Sequence, residues 1–524
     1  MSETEAGSLP PGRSGRANEQ RIALRGRNGE AVRLTDVPEV PPVEFQRACV
    51  ELCSRGRRLA ALFALPLGPH EPPGEREILA VLADDIRGSL GFLRTRVPHA
   101  GRYPALSSDL PQAHLFEREL FEEHGIHPEG HPWLKPVRRH PDLEPRPENA
   151  GPGPDSYPFF RVDGPGLHEV AVGPVHAGII EPGHFRFQCR GETVLHLEIQ
   201  LGYQHRGAEA LLLKSSPARR LVVAESIAGD TSVGHALAYC TAIEALAGIQ
   251  APFSAQAVRG IALELERVSN HVGDLGALCN DVGYLPGASW FGRLRGEFLN
   301  LLLELSGNRF GRSLLRPGGV RIGIDAQQRK DFLVRLARAE RDLKDTAELT
   351  FDSPTVCSRF EHTGVITRED AEALGLVGPV ARASACDRDG RRDHPSGVFR
   401  FAHIPVALAE SGDVMARALV RWLETQRSVT FLGEQIAELA GDALWVDSQP
   451  LRPGSLAVSL VEGWRGEIVH VAVTDTDGRL ALYKIVDPSF HNWYGLAVAL
   501  RGNEISDFPL CNKSFNLSYA GHDL

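Results

Sequence analysis

The stretch over residues 256–283, QAVRGIALELERVSNHVGDLGALCNDVG, constrains this chain more than any other. Val258, Ile261, Leu265, Val268, Val272 and Leu275 recur there at three- and four-residue steps, and no proline interrupts them. That period lays an apolar stripe along a long helix, and such a stripe is stable only when other elements cover it. The fold is therefore expected to be organised around this helix. Helix-like spacing at 234–249, 337–350 and 416–439 supplies its neighbours. Residues 184–191 and 193–202 alternate on either side of a glycine-containing turn, and 462–493 alternates around Asp477-Gly478, so β-hairpins are expected beside the helices.

Ahead of this lies a first unit over 21–142, in which 48–65 has helix-like apolar spacing and 75–97 mixes strand-like with helical stretches. Residues 143–158, LEPRPENAGPGPDSYP, are dense in proline and glycine and read as a linker to a second unit over 159–524. The polar, Gly/Pro/Ser-containing residues 1–20 read as a disordered tail without the apolar core of a secretory signal. The fold class is α+β: a small α+β docking domain, then a larger domain with a helical-bundle core and flanking hairpins.

Composition excludes several classes of function. The chain has 524 residues, 42% of them hydrophobic, and a net charge of −10 with no dominant basic stripe, which gives no reason to expect nucleic-acid binding. There is no apolar run of about 18 residues to cross a bilayer. The eight cysteines form no Cys-x-x-Cys pair; Cys49 and Cys53 can share a helix face, but two ligands do not make a zinc site. No glycine-rich nucleotide loop follows a strand.

Several segments resemble known families. Residues 114–142 carry Glu117, Arg118, Glu119, Gly125, Ile126, His131, Pro132 and Leu134, a pattern similar to the 30-kDa-type subunit of complex I, whose role is docking. On physical grounds alone Glu117 and Glu119 are solvated helix charges, and His131-Pro132 ends a helix. The His205-Arg206-Gly207-Ala208-Glu209 element, the Glu264, Leu265, Glu266, Arg267 and His271 helix, Gly378, Pro379, Arg382 and Ser384, and Arg465-Gly466-Glu467 resemble the large subunit of membrane-bound [NiFe] hydrogenases and the 49-kDa quinone-cavity subunit of complex I. Residues 224–244 resemble the hydrogenase segment with the first cysteine pair, through His235, Ala238, Tyr239 and Cys240; 507–524 resembles the segment with the second.

At the four positions where that resemblance places metal thiolates, this chain has Ala228, Thr231, Ser518 and Gly521. None is a soft ligand, so no nickel–iron centre is expected and the metal assignment is none. The quinone-cavity resemblance implies a headgroup contact from His176 or His184, but Gly229 stands where the quinone tyrosine is expected. Asp230, His235, His491, Asp507, His522, Arg465 and Glu209 are expected to line the old cavity, where buried ionisable groups suit proton relay. The same groups can also simply satisfy one another's hydrogen bonds. Glu209, Asp230, His235 and Arg465 lead as relay residues.

The resemblance implies a redox-arm subunit of a membrane assembly that couples electron transfer to ion movement. Its partners would be a small iron-sulfur subunit, a ferredoxin-like subunit and antiporter-like membrane subunits, with no nucleic acid. It would sit on the cytoplasmic, inner face of the cell membrane and reach the membrane only through partners. No cofactor is expected on this chain itself; the iron–sulfur cluster belongs to the small subunit, and a quinone is the further ligand the family admits. A quinone-reducing subunit and a non-catalytic scaffold are the alternatives.

Overall fold

The computed structural model describes residues 22–65, 75–98, 101–138, 157–177, 180–439, 441 and 443–524. The tail expected over 1–20, and the linker over 143–158 up to residue 156, lie outside them.

Strands β1 (Leu24–Gly26) and β2 (Ala31–Arg33) precede helix α1 (Pro42–Ser54), and β3 (Arg58–Leu65), β4 (Glu75–Asp84) and β5 (Ser89–Pro98) follow it. Four of these strands make an antiparallel sheet in the order β1-β5-β4-β3. The helix-like spacing at 48–65 thus stops at Ser54. Every residue of β3 is buried, and a strand covered on both faces shows a continuous apolar run with no period to distinguish it from a helix. The mixed stretch at 75–97 is two paired strands, with Leu79 opposite both Phe63 and Arg94.

Next come β6 (Arg102–Pro104), α2 (His114–His124) and β7 (His127–Glu129). In α2 the structure corrects the solvated-charge reading. Glu117 is buried and accepts hydrogen bonds from the Tyr103 hydroxyl and the backbone N–H groups of Leu106 and Ser107, at 2.7–3.0 Å. Glu119 is buried against Arg138 and Lys484. A carboxylate with several donors is satisfied in a core, and local helix pattern does not reveal donors that arrive from other elements.

The second unit opens with the antiparallel sheet of β8 (Leu167–Val172), β9 (His184–Arg190) and β10 (Thr193–Gln200), followed by α3 (Ala208–Lys214), α4 (Pro217–Ala224), α5 (Ser232–Ala247), α6 (Phe253–Asp281) and α7 (Leu285–Ser306). The expected central helix is α6, buried over most of its length. It packs against α5, α7 and the later α9 (Val414–Glu438), while α8 (Ala326–Phe351), which lies between them in the chain after a two-strand hairpin of β11 (Leu315–Arg316) and β12 (Gly319–Val320), packs on α7 and α9.

The C-terminal part supplies β13 (Ser455–Gly463), β14 (Gly466–Thr474), β15 (Leu480–Val486), α10 (Pro488–Ala499), α11 (Phe508–Phe515) and α12 (Tyr519–Asp523). The sheet runs β15-β14-β13-β2, so a strand from the start of the chain completes it, with Val32 opposite Leu456. Leu456, Val458, Val469 and Val471 pack into the core of the first unit, and Ala457, Val461, Ile468 and Ala472 into the helical core. This sheet is the layer between the two cores. Its two-sided cover explains why every residue of β13 and β14 is buried.

Candidate functional site

The site is built where the α4–α5 loop, the β13–β14 turn and the last two helices meet. Thr231 precedes the first turn of α5, and Asp230 precedes Thr231. Arg465 sits in the tight turn between β13 and β14. That turn is wedged against the backbone of Gly378, since a Cβ on Gly378 would lie 2.1 Å from the Arg465 carbonyl; both Gly378 and Gly466 have positive φ. Only glycine allows such an approach.

The Arg465 guanidinium grips Asp230 with two parallel hydrogen bonds of 2.6 and 2.7 Å, donates to the Thr231 hydroxyl at 3.1 Å, and donates through Nε to the Asn516 carbonyl. It lies 3.9 Å from the Trp464 ring centre, and the Trp464 indole N–H donates to the Asp230 carbonyl and the Thr231 hydroxyl. One cation therefore ties the loop holding Thr231 to the segment that enters Ser518. Arg206 makes a second tie, donating to the carbonyls of Ser226, Ile227 and Ala520. Burial raises the Asp230 carboxyl, but the Arg465 pairing outweighs it and holds the group below the usual carboxylate range. The Asp230 side chain keeps about a third of its surface open, at 35%.

The four positions assigned to thiolates by resemblance lie along these ties. The Thr231 hydroxyl accepts the bonds just described. Ser518 accepts from the N–H of Gly521 at 2.8 Å, Ala228 is fully buried, and the space beside Gly521 is taken by Asp487: a Cβ there would lie 2.5 Å from Oδ2. A nickel–iron centre does not fit this donor set. Among the described residues, no three His, Cys, Asp or Glu side chains cluster so as to hold a metal ion.

His235, on α5, points inward. Its Nε2 pairs with Asp487 Oδ2 at 3.1 Å and its Nδ1 with His470 Nε2 at 3.1 Å, while His470 Nδ1 pairs with the Tyr483 hydroxyl at 2.8 Å. All four residues are buried. Burial raises the Asp487 carboxyl, and the hydrogen bond from His235 together with nearby Arg465 brings it below its ordinary value. Burial and His235 push His470 well down, so its imidazole is neutral.

Glu209 lies elsewhere. From the first turn of α3 it accepts from the Ile485 N–H at 2.8 Å and pairs with Lys484 Nζ at 3.2 Å; the same ammonium is 2.6 Å from Glu119. Burial lowers the Lys484 pKa, which Glu209 and Glu123 only partly restore. Glu119, Glu209, Tyr483 and Lys484 line a cleft of about 460 Å³.

The expected convergence of seven groups is therefore partial. Asp230 and Arg465 meet, and His235 reaches them through Asp487. Glu209 belongs to the cleft. His522 bonds Asp523 at 2.9 Å, and Asp507 pairs with Arg359 at the surface. His491 is wedged edge-on against Phe116, with its Nε2 lacking a partner. His184 donates to the Gly173 carbonyl and His176 to the Gly183 carbonyl, so the two pin the base of their own loop. Sequence reasoning missed His470 and Tyr483, which look like ordinary strand residues, and assigned no role to Asp487, which it read as part of a turn.

Residues 281–455 match the family described as the 49-kDa subunit of the respiratory-chain NADH dehydrogenase. The chain is similar to the carbon monoxide-induced hydrogenase of Rhodospirillum rubrum, 31% identical over 67% of this chain and 97% of that one. It is 29% identical to formate hydrogenlyase subunit 5 of Escherichia coli (strain K12), over 80% of this chain and 77% of the relative. The D 1 subunit of the NADH-quinone oxidoreductase of Chloroherpeton thalassium is 29% identical over 66% of this chain and 86% of its own. Such relatives are subunits of multi-subunit complexes, which implies partner subunits. Among the described residues no helix is long and apolar enough to cross a membrane. By relatedness, the chain belongs to the complex I-like large-subunit family shared by membrane-bound hydrogenases and NADH-quinone oxidoreductases.

Proposed function

We propose that this chain is the redox-arm large subunit of a membrane-bound, complex I-like oxidoreductase, coupling electron transfer to ion translocation without a nickel–iron centre of its own. The observation that carries the proposal is the Arg465 bridge: a guanidinium, the Asp230 carboxylate and Asp487 occupy the space between the two segments where hydrogenases place thiolates. Hard, charged, mutually paired groups are poor partners for nickel. What they can do is hold and pass protons next to a partner's redox centre.

In this proposal the electrons arrive through the iron–sulfur cluster of a small partner subunit and a ferredoxin-like subunit. Antiporter-like membrane subunits carry the ions, and the chain itself docks on the cytoplasmic face of the membrane. Glu209 exchanges protons at its cleft, with Lys484 as its buried counter-charge.

Two measurements on the purified complex test this. Elemental analysis is expected to find no nickel above background per copy of this chain; stoichiometric nickel overturns the reading. Glu209→Gln keeps the hydrogen bond from Ile485 but loses the exchangeable proton. It is expected to lower proton uptake coupled to electron transfer by on the order of 100-fold while the complex still assembles. Unchanged coupling in that variant would mean that the chain is a scaffold.

A further inference from the structure

Glu209 and the Asp230–Arg465 pair lie at different places on the molecule, and a hydrogen-bonded line of four buried side chains lies between them. Asp487 lies beside Arg465; from it the hydrogen bonds pass to His235, then His470, then the Tyr483 hydroxyl, at 3.1, 3.1 and 2.8 Å. Tyr483 lines the 460 Å³ cleft that also holds Glu209 and Lys484. Asp230, at the other end, is about one-third exposed. The four intervening residues come from α5, β14, β15 and the residue before α10. Four protic groups beside Ala457, Val461, Ile468 and Ala472 cost desolvation that an apolar set would avoid.

We propose that Asp487, His235, His470 and Tyr483 form a proton-conducting chain through the protein, joining the Glu209 cleft to the Arg465–Asp230 pair. The inference rests on the relay reading above and gives that relay its route. With Asp487 ionised and each imidazole carrying one proton, every donor points the same way: Tyr483 O–H to His470 Nδ1, His470 Nε2–H to His235 Nδ1, and His235 Nε2–H to Asp487 Oδ2. One transfer breaks the Tyr483 O–H bond, moves each imidazole proton one place, and forms an O–H bond on Asp487. Tyr483 then regains a proton from the cleft, Asp487 releases one towards the Asp230 side, and each imidazole, now protonated on its other nitrogen, turns over to restore the starting tautomer before the next transfer. One proton enters, one leaves, and no electron moves.

The test uses the whole complex in proteoliposomes, with reduced methyl viologen as electron donor, a soluble quinone analogue as acceptor and a pH-sensitive dye to follow proton uptake. Tyr483→Phe removes one oxygen and leaves the ring packing intact; it is expected to cut coupled proton uptake by on the order of 100-fold. Replacing Tyr483 with 3,5-difluorotyrosine keeps the hydroxyl but makes it more acidic. It is expected to shift the alkaline limb of the pH–rate profile to lower pH, which a merely structural tyrosine would not do. If Glu209→Gln abolishes uptake while both Tyr483 variants behave as the parent, the route is wrong and the relay stands. If none of the three changes uptake, the relay reading falls with it. If Tyr483→Phe does not assemble, the difluorotyrosine profile decides: a shifted limb supports the route and an unshifted one overturns it.

Discussion

Glu424→Ala is expected to destabilise the helical core by about 3–5 kcal/mol, the range for removing one member of a buried ion network. Glu424 lies on α9, fully buried, and is the shared acceptor of three groups. Arg382 donates to one carboxylate oxygen at 2.8 Å; Arg267 at 3.3 Å and His271 at 2.9 Å donate to the other. The network continues outward through Glu264, which pairs with Arg267 and Arg391, and through Glu462, which pairs with Arg382 at 2.7 Å. Burial alone would raise the Glu424 carboxyl, but Arg382 and the hydrogen bond from His271 pull it well below its ordinary value. Removing that charge takes from two guanidinium groups in a dry core the acceptor they share, leaving Glu264 as the nearest carboxylate to Arg267 and Glu462 as the nearest to Arg382. The expected readings are a lower thermal midpoint and less folded protein; a midpoint equal to the parent's would show that Glu264 and Glu462 can take over both arginines.

Four members of this network sit in segments whose resemblance to the family was visible in the sequence, Glu264, Arg267 and His271 in one helix and Arg382 in the Gly-Pro segment, whereas Glu424 and Glu462 lie outside them. What the sequence could not reveal is that they hold one another. Motif spacing records which residue types stand on one element, whereas the ion pairs join α6, α9, β13 and two short helices in the segment after α8. The long period of α6 was legible because an amphipathic helix writes its burial into a repeat. β3 was not, because burial on both faces erases the alternation that marks a strand. The site divides along the same line. Asp230, His235 and Arg465 could be picked out as ionisable groups next to recognisable segments. Tyr483 and His470 become intelligible only through the register of β14 and β15, which sets Tyr483 opposite Ala472 and His470 opposite Ile485 and so places both on the sheet face that meets α5.

Acid should unfold this protein through its buried histidines, and His491 allows the effect to be isolated at one residue. His491 is 6% exposed on α10, edge-on to Phe116, with Nε2 unpartnered. Burial pulls its imidazole down to about 4 from an ordinary 6.5. Because the folded-state value is depressed, the unfolded chain takes up a proton as the pH falls below 6.5, while the folded protein does so only near 4. The stability is therefore complete above pH 6.5 and lost between 6.5 and 4, by about 3 kcal/mol for this residue at 1.36 kcal/mol per unit. Burial also depresses His470, His271 and His522, which act in the same direction. Glu266 works against them: burial pushes its carboxyl up to about 8, so it adds stability as the pH falls from 8 towards 4.5. Comparing the parent with His491→Phe cancels every contribution except one. The variant keeps the ring contact with Phe116 and removes both ring nitrogens, of which Nε2 has no partner, so near-parental stability is expected at pH 7. At pH 4.5 the variant should be the more stable by about 3 kcal/mol. Equal pH dependence in the two proteins would mean that His491 takes up its proton in the folded state, with water or a shifted neighbour reaching Nε2.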